Sequence, residues 1–217
     1  MKKLIALIAV AVTAVAVAAA DPLIVIHGFV NFNALGSSYK IEDLTEVSSF
    51  DAFGDNVSFG GGVGVNIPFA GYFGVQPGID IYGNRLGYQF EGSDATYSYS
   101  YVSMDIPVLF TAKVEKWNFQ LGPYLSIPLG QIKGVGKFGP TIIEGKSDIT
   151  SNILVGMIAG IGYEERLGLG RIVFGARYML DFMPIKYDAD GEINEAFTRR
   201  GLEIDIGYKI PLTFFGS

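Results

Sequence analysis

Residues 202–214 read LEIDIGYKIPLTF, and every second residue of this stretch is apolar. The positions between them hold Glu203, Asp205, Gly207, Lys209, Pro211 and Thr213. Because a β-strand turns successive side chains to opposite faces, the stretch predicts a strand with one apolar and one polar face. Strict alternation with charges on one face only is typical of a strand that crosses an outer membrane.

The same period of two recurs in seven earlier segments, and each of them predicts a strand. These segments are 24–35, 56–67, 72–84, 99–114, 117–129, 152–164 and 171–182. The connections alternate in length: 68–71, 115–116 and 165–170 are short, whereas 36–55, 85–98, 130–151 and 183–201 are long. Short turns on one side and longer loops on the other predict an all-β, eight-stranded antiparallel up-and-down transmembrane β-barrel.

The first 20 residues predict a signal peptide. Lys2 and Lys3 precede an apolar run over residues 4–17, and three alanines at 18–20 supply a small-residue cleavage site. We therefore assign residues 1–20 to a signal peptide and residues 21–217 to one barrel domain. This assignment predicts a location in the outer membrane of a diderm bacterium.

Composition excludes several classes of function. Loss of Lys2 and Lys3 takes Lys+Arg from 16 to 14 against 22 Asp+Glu, which leaves a net charge of −8. An acidic chain of this kind does not favour nucleic acid as a partner. The sequence has no cysteine and one histidine, so we expect no disulfide and no cofactor, and we assign no metal site, although a site made of carboxylates alone stays open.

Alternation alone leaves open which face points inward. A soluble barrel of the lipocalin type would hide the apolar face and show the charged face to water. The polar face here is mostly Gly, Ser, Asn and Gln, whereas a solvated surface carries far more Lys and Glu. Aromatic residues also gather near predicted strand ends, as an interfacial girdle requires: Trp117, Phe119, Tyr163, Phe182, Phe214 and Phe215. These features favour the membrane barrel.

Nine charged residues fall on the predicted inward face. They are Asp80, Asp105, Lys113, Arg171, Arg177, Asp181, Glu203, Asp205 and Lys209. Buried ions require partners, and Arg177 would reach Glu203 or Asp205 on the neighbouring strand. The interior of an eight-stranded barrel is only about wide enough for side chains. We therefore favour a lumen charge network that plugs the barrel over a charge-lined solute path.

His27 decides whether an enzyme is expected. Acyl-transfer chemistry in a barrel would need this histidine in a Ser/His/Asp or Asp/His arrangement near the outer rim. His27 falls instead near the start of the first predicted strand, at the short-turn side, and faces inward. We favour a packed histidine and a non-enzymatic protein over a lipid-modifying enzyme.

Two segments carry a family resemblance. Residues 101–110 (YVSMDIPVLF) and 122–125 (GPYL) resemble the small outer-membrane β-barrel proteins of the PorT-like group, and the chain is also loosely similar to OmpW-like barrels. Residues 207–214 look like the signal that the barrel-assembly machinery reads, with Gly207, Tyr208, Leu212 and Phe214 as its residues, although three more residues follow. The resemblance implies the fold, the location, and contact with outer-membrane lipids and the assembly machinery.

The leading functional hypothesis is a monomeric, non-enzymatic integral outer-membrane protein. Its role would be structural, or its loops would bind or adhere to an extracellular ligand. The alternative is a narrow porin-like channel for small or hydrophobic solutes.

Overall fold

A computed structural model describes residues 22–33, 56–89, 95–151, 153–189, 192–195 and 198–212. It contains eleven strands, which we number in chain order. They are β1 (Leu23–Asn33), β2 (Val57–Ala70), β3 (Phe73–Gln89), β4 (Thr96–Val114), β5 (Trp117–Phe138), β6 (Thr141–Ile149), β7 (Leu154–Leu167), β8 (Gly170–Asp181), β9 (Lys186–Ala189), β10 (Glu192–Glu195) and β11 (Arg200–Pro211). In these ranges no helix is long and apolar enough to cross a membrane.

Eight of these strands close into a barrel. The order around the wall is β1, β2, β3, β4, β5, β7, β8 and β11, and β11 returns to pair with β1. Every pair is antiparallel, and the closing pair runs in unbroken register from Leu23↔Pro211 to Asn33↔Gly201. Closure leaves the wall without an exposed strand edge, which a membrane requires because lipid offers no hydrogen bonds. The predicted eight-stranded antiparallel barrel is confirmed.

The two ends of the barrel differ in their connections. Tight turns at Gly71–Tyr72, Glu115–Lys116 and Gly168–Leu169 lie at one end, which we term the short-turn end. The backbone N–H of Leu212 donates to the Pro22 carbonyl at 2.8 Å, so both termini of the wall meet there. The long connections lie at the opposite end, which we term the loop end. By the general rule for such barrels, the short-turn end faces the periplasm.

The structure corrects two of the predicted long loops, 130–151 and 183–201, which contain additional strands, and it extends β3 and β4 into the predicted loop 85–98. β5 continues past the wall to Phe138, and β6 pairs with this extension from Gln131↔Asp148 to Phe138↔Thr141. We call residues 131–149 the arm. The small hairpin of β9 and β10 joins the arm through Asp148↔Asp188. The glycines of this stretch suggested a loop, but Gly130 (φ 76°) supplies only a bend between wall and arm.

Apolar side chains face outward from the wall and polar side chains face inward. The exposed large apolar residues include Phe59, Phe110 and Ile206, whereas Asn31, Ser58 and Ser103 are wholly buried. This distribution is the reverse of a soluble protein and matches a lipid-facing surface. An aromatic band lies at the short-turn end, on β2, β3 and β5 and on the β2–β3 turn: Phe69, Tyr72, Phe73, Trp117 and Phe119 are all exposed. Phe214 and Phe215 of the predicted girdle lie outside the described residues.

Inward-facing glycines make room for the large polar side chains of the lumen. Gly62 pairs across the strands with Asp80, and Gly175 pairs with Asp205. A Cβ added at Gly62 would lie 1.8 Å from Asp80 Oδ1 and 2.5 Å from the Ile79 carbonyl oxygen. The pairing of β2 with β3 fixes the position of this backbone carbonyl, so only glycine fits at position 62.

We expect Gly62→Ala to lower the free energy of unfolding by about 1–3 kcal/mol, since it overpacks the lumen. The measurement is urea-induced unfolding of the protein in lipid vesicles. Gly28→Ala on the adjacent strand is the matched control, because its Cβ would meet only the Gly60 carbonyl oxygen at 3.8 Å. Equal midpoints for the two variants would contradict the packing argument.

Candidate functional site: the barrel lumen

Arg177 on β8 is the centre of the first lumen cluster. Its Nη1 lies 3.3 Å from Glu203 Oε1, and its Nε lies 3.5 Å from Asp205 Oδ1. The register pairs Arg177 directly with Glu203 on the neighbouring strand β11, so the wall itself brings these charges together. All three side chains are buried. We call this group, with Asp80 and His27, the Arg177 cluster.

His27 joins the Arg177 cluster through both ring nitrogens. Arg177 Nη2 lies 3.0 Å from Nδ1, and Asp80 Oδ1 lies 2.8 Å from Nε2. A guanidinium only donates hydrogen bonds, so Nδ1 must accept, and the proton must reside on Nε2 and be donated to Asp80. The imidazole is therefore neutral and bridges a cation and a carboxylate deep in the wall.

Arg199 is the centre of a second cluster. The sequence pattern predicts that this residue lies in the loop 183–201, and it is not among the predicted lumen residues. Its side chain is 0% exposed, with Nη2 at 2.6 Å from Asp105 Oδ2 and 3.4 Å from Asp181 Oδ1. Its Nη1 also donates to Asn84 Oδ1 at 3.2 Å. Arg199 precedes β11 and keeps the inward parity of Gly201 and Glu203, so extending the alternation upstream would have identified it. We call this group the Arg199 cluster.

Two tyrosines join the clusters and fill the middle of the lumen. Tyr82 Oη donates to Glu203 Oε2 at 2.6 Å, and Tyr124 Oη donates to Asp181. The Arg199 guanidinium lies over both rings, 4.9 Å from the Tyr82 centroid and 5.3 Å from the Tyr124 centroid. These contacts are favourable because the ring faces carry negative charge. Buried apolar side chains complete this layer: Phe29, Leu109, Ile158 and Met179.

A third cluster lies at the short-turn end, around Glu164 of β7. Lys113 Nζ donates to Glu164 Oε2 at 2.5 Å, Lys209 Nζ to Oε1 at 2.5 Å, and Arg171 Nη1 to Oε2 at 3.3 Å. Asn118 Nδ2 adds a hydrogen bond to Oε1 at 2.9 Å. We call Lys113, Glu164, Arg171 and Lys209 the mouth cluster. Glu164 was recognised in the sequence only as the last residue of a predicted strand.

The mouth cluster lines a cavity of about 430 Å³. The side chains of Arg171 and Lys113 are 45% and 32% exposed, so these two predicted lumen residues lie at the rim. Lys209 and Glu164 are buried beneath them. The lumen is thus open to solvent at the short-turn end as far as Glu164.

Apolar side chains close the loop end. Leu86, Tyr101, Ile132, Leu154 and Ile185 form one buried cluster, and Tyr99, Ile149 and Tyr187 pack against it. Ile132 and Ile149 belong to the arm, and Ile185 follows β8. The arm and the β8–β9 connection therefore cover the opening of the barrel where the described strands end.

Part of the predicted assembly signal is described. Tyr208 Oη donates to the Leu167 carbonyl at 2.7 Å and accepts from the Gly170 N–H at 3.0 Å. This side chain therefore fastens β11 to the β7–β8 turn. Gly207 lies inward on β11 and Leu212 follows it, whereas Phe214 and the predicted signal peptide 1–20 lie outside the described residues.

The donor set does not favour metal chemistry. Within the described ranges, no three His, Cys, Asp or Glu side chains are grouped so that they could hold a metal ion. Most of the lumen carboxylates point at a guanidinium, an ammonium or a phenol instead. Among the described residues, the arrangement supports packing and charge pairing in the middle of the barrel and solvent access at the mouth cluster.

Solved structures of three proteins are similar to this chain at low sequence identity. Neisserial surface protein A is 12% identical, with a TM-score of 0.41 over 87% of this chain and 96% of that one. The Yersinia pestis attachment invasion locus protein Ail is 11% identical, with a TM-score of 0.40 over 88% and 99%. AlkL, an outer membrane protein solved in lipid bilayers, is 11% identical, with a TM-score of 0.43 over 89% and 92%.

No curated protein matches the sequence significantly. Residues 23–187 match the model of one protein family, described as the outer membrane protein beta-barrel domain. That match covers more than half of the chain and includes most of the wall. The chain is therefore a member of the outer membrane protein β-barrel domain family, located in the outer membrane of a Gram-negative bacterium.

Proposed function

We propose that the protein is a non-enzymatic, monomeric outer-membrane barrel with a closed lumen, and that its binding or adhesive role resides in the arm at the loop end. The observation that carries the first half of this proposal is the position of Arg199. A guanidinium that is fully buried between two rings and two carboxylates occupies the space that a solute would need.

The lumen contacts support closure at two further levels. Tyr82, Tyr124 and Met179 are fully or almost fully buried across the middle of the barrel. The apolar cluster around Ile132 and Ile185 covers the loop end. A solute would have to displace charge-assisted hydrogen bonds at one level and apolar packing at the next, both of which are costly. These contacts support a closed barrel over a narrow channel for small or hydrophobic solutes.

The arm supports the second half of the proposal. Ile142 and Ile143 lie on opposite faces of β6 and are 61% and 59% exposed. Phe138, at the tip, is also exposed, and Lys133 pairs with Glu144 at 2.9 Å on the charged face. Each face of β6 thus presents a large exposed apolar side chain beyond the membrane wall, and exposed apolar surface of this kind is typical of sites that contact a partner.

Single-channel conductance in a planar bilayer tests closure. We expect the folded wild-type protein to give no discrete openings, because side chains fill the lumen at two levels. Folding is verified beforehand by a heat-dependent shift in gel mobility. Reproducible openings whose conductance changes in Arg177→Ala would overturn the closed-barrel proposal and put the channel first.

Adhesion of cells that display the protein tests the arm. We expect these cells to attach to polystyrene or to one another more than cells carrying an empty vector, and Ile142→Thr/Ile143→Thr to remove most of the gain. Threonine keeps the strand propensity and removes the exposed apolar surface. Lys146→Gln on the same strand is the control, and it should leave adhesion unchanged. Attachment equal to the empty vector, or unaffected by the double substitution, would refute the adhesive role.

We also propose, from the sequence, a place in a narrower group of outer-membrane barrels and a set of partners. Segments 101–110 and 122–125 support a place in the PorT-like group. Membrane lipids surround the apolar outer wall, the barrel-assembly machinery acts on Gly207, Tyr208, Leu212 and Phe214 during biogenesis, and an extracellular ligand contacts the loop end.

A further inference from the structure

We propose that the mouth cluster binds a phosphate group that enters from the short-turn end. The inference is independent of the proposed closure and of the arm, since it concerns the opposite end of the barrel. It starts from an imbalance: three cations surround one carboxylate. Lys113, Arg171 and Lys209 all lie within 3.3 Å of Glu164 oxygens.

The imbalance extends to the whole cavity. Its charged lining consists of Lys113, Arg171 and Lys209 on one side and Glu115 and Glu164 on the other, which leaves one excess positive charge. The chain as a whole carries a net charge of −6, so the charge of the cavity at the mouth has the opposite sign to the net charge of the protein. The three cations repel one another, and an anion placed between them would relieve that repulsion.

The hydrogen-bond donors of the site match a phosphate. An ammonium has three hydrogen-bond donors. The Lys209 and Lys113 ammoniums each donate one hydrogen bond to Glu164, which leaves further donors on both. The Thr111 hydroxyl lines the same cavity and accepts from Asn66 Nδ2 at 3.1 Å, which leaves its own proton to donate. Several charge-assisted donors that converge on one small space favour a tetrahedral oxyanion.

The next layer of the lumen explains why an anion would stop at the mouth. The Arg177 cluster contains one guanidinium and three carboxylates: Glu203 and Asp205 lie beside Arg177, and Asp80 lies beside His27. This layer repels anions. The lumen is therefore basic at the opening and acidic behind it, so the geometry points to a binding site and not to a path.

The position of the mouth leaves two sources for the phosphate. Tyr72 and Phe73 line the cavity and belong to the aromatic band, which in membrane proteins lies at the level of lipid headgroups. The ligand is therefore either a soluble phosphate from the periplasm or the headgroup of an anionic phospholipid of the inner leaflet.

The test uses the full-length protein purified in a non-ionic detergent. Inorganic phosphate is titrated and followed by ³¹P NMR, and short-chain phosphatidylglycerol is added to the same micelles in a second titration. Each titration is repeated with Lys113→Gln/Arg171→Gln. Both residues lie at the rim, so the variant is expected to fold, which heat-dependent gel mobility verifies. The control is Lys133→Gln, which removes an exposed, ion-paired lysine of the arm.

We expect saturable binding to the wild type and the control, weakened roughly tenfold or more in the double variant, which loses two cationic donors. Binding of inorganic phosphate identifies the soluble source. Binding of the lipid alone, with the same loss in the double variant, identifies the headgroup. Absence of binding in both titrations, or binding that the double variant retains, overturns the proposal.

Discussion

Replacing Arg199 by methionine is expected to lower the free energy of unfolding by about 3–5 kcal/mol. The substitution leaves Asp105 and Asp181 buried without their cation, and it removes the guanidinium from between the Tyr82 and Tyr124 rings. Methionine preserves much of the apolar volume, so the loss reports charge and not a cavity. The measurement is urea unfolding in lipid vesicles, followed by the fluorescence of Trp117, the sole tryptophan.

A combined variant separates lost charge from lost packing. Asp105→Asn and Asp181→Asn added to Arg199→Met remove the two uncompensated carboxylates, so most of the stability is expected to return. Lys133→Met on the exposed arm is the control and should unfold at the wild-type midpoint. If Arg199→Met has the same unfolding midpoint as the control, then the segment before β11 does not plug the lumen, and the closed-barrel proposal loses its main support.

The wall of the barrel could be predicted from the sequence because lipid enforces one simple rule on it. Along β11 the outward residues Leu202, Ile204 and Ile206 must be apolar, so the period of two survives even where Glu203 and Asp205 lie between them. The predicted and observed bounds of the eight wall strands differ by a few residues at most positions. The larger differences lie at the loop end, where β3 continues to Gln89 and β5 to Phe138, beyond the predicted ends at 84 and 129.

The alternation predicted that Arg177 would reach Glu203 or Asp205, but the arm and the contacts of Arg199 and Glu164 obey weaker rules and were not predicted. In the arm both faces of β6 meet solvent, so Thr141–Ile149 shows no clean alternation of apolar and polar residues. Arg199 and Glu164 acquire their roles from partners that are distant in the chain, such as Asp105 and Lys209. Alternation predicts that a residue points inward, but the partner it meets depends on register and tilt, which the pattern does not contain.

Replacing Glu164 by glutamine is expected to cost about 3–5 kcal/mol, because the buried ammonium of Lys209 loses its carboxylate while Lys113 and Arg171 remain beside it. Glutamine keeps the shape of the side chain and one acceptor oxygen, so the change is electrostatic. Urea unfolding in phosphate-free buffer measures it. Adding Lys209→Met to Glu164→Gln should restore much of the stability, since the cation that lacked a partner is then gone.

The adjacent Glu165 provides a control of the same chemistry at a different depth. Glu165 pairs with Lys116 at 2.5 Å, the same distance as Glu164 and Lys209, but its side chain is 47% exposed against 3% for Glu164. Water screens the exposed pair, so Glu165→Gln should leave the unfolding midpoint unchanged. Inorganic phosphate should return part of the stability of Glu164→Gln, because it would supply the missing anion to Lys209. Equal midpoints for the two glutamine variants would mean that burial does not set the strength of the mouth cluster, and the excess of positive charge there would then need no ligand.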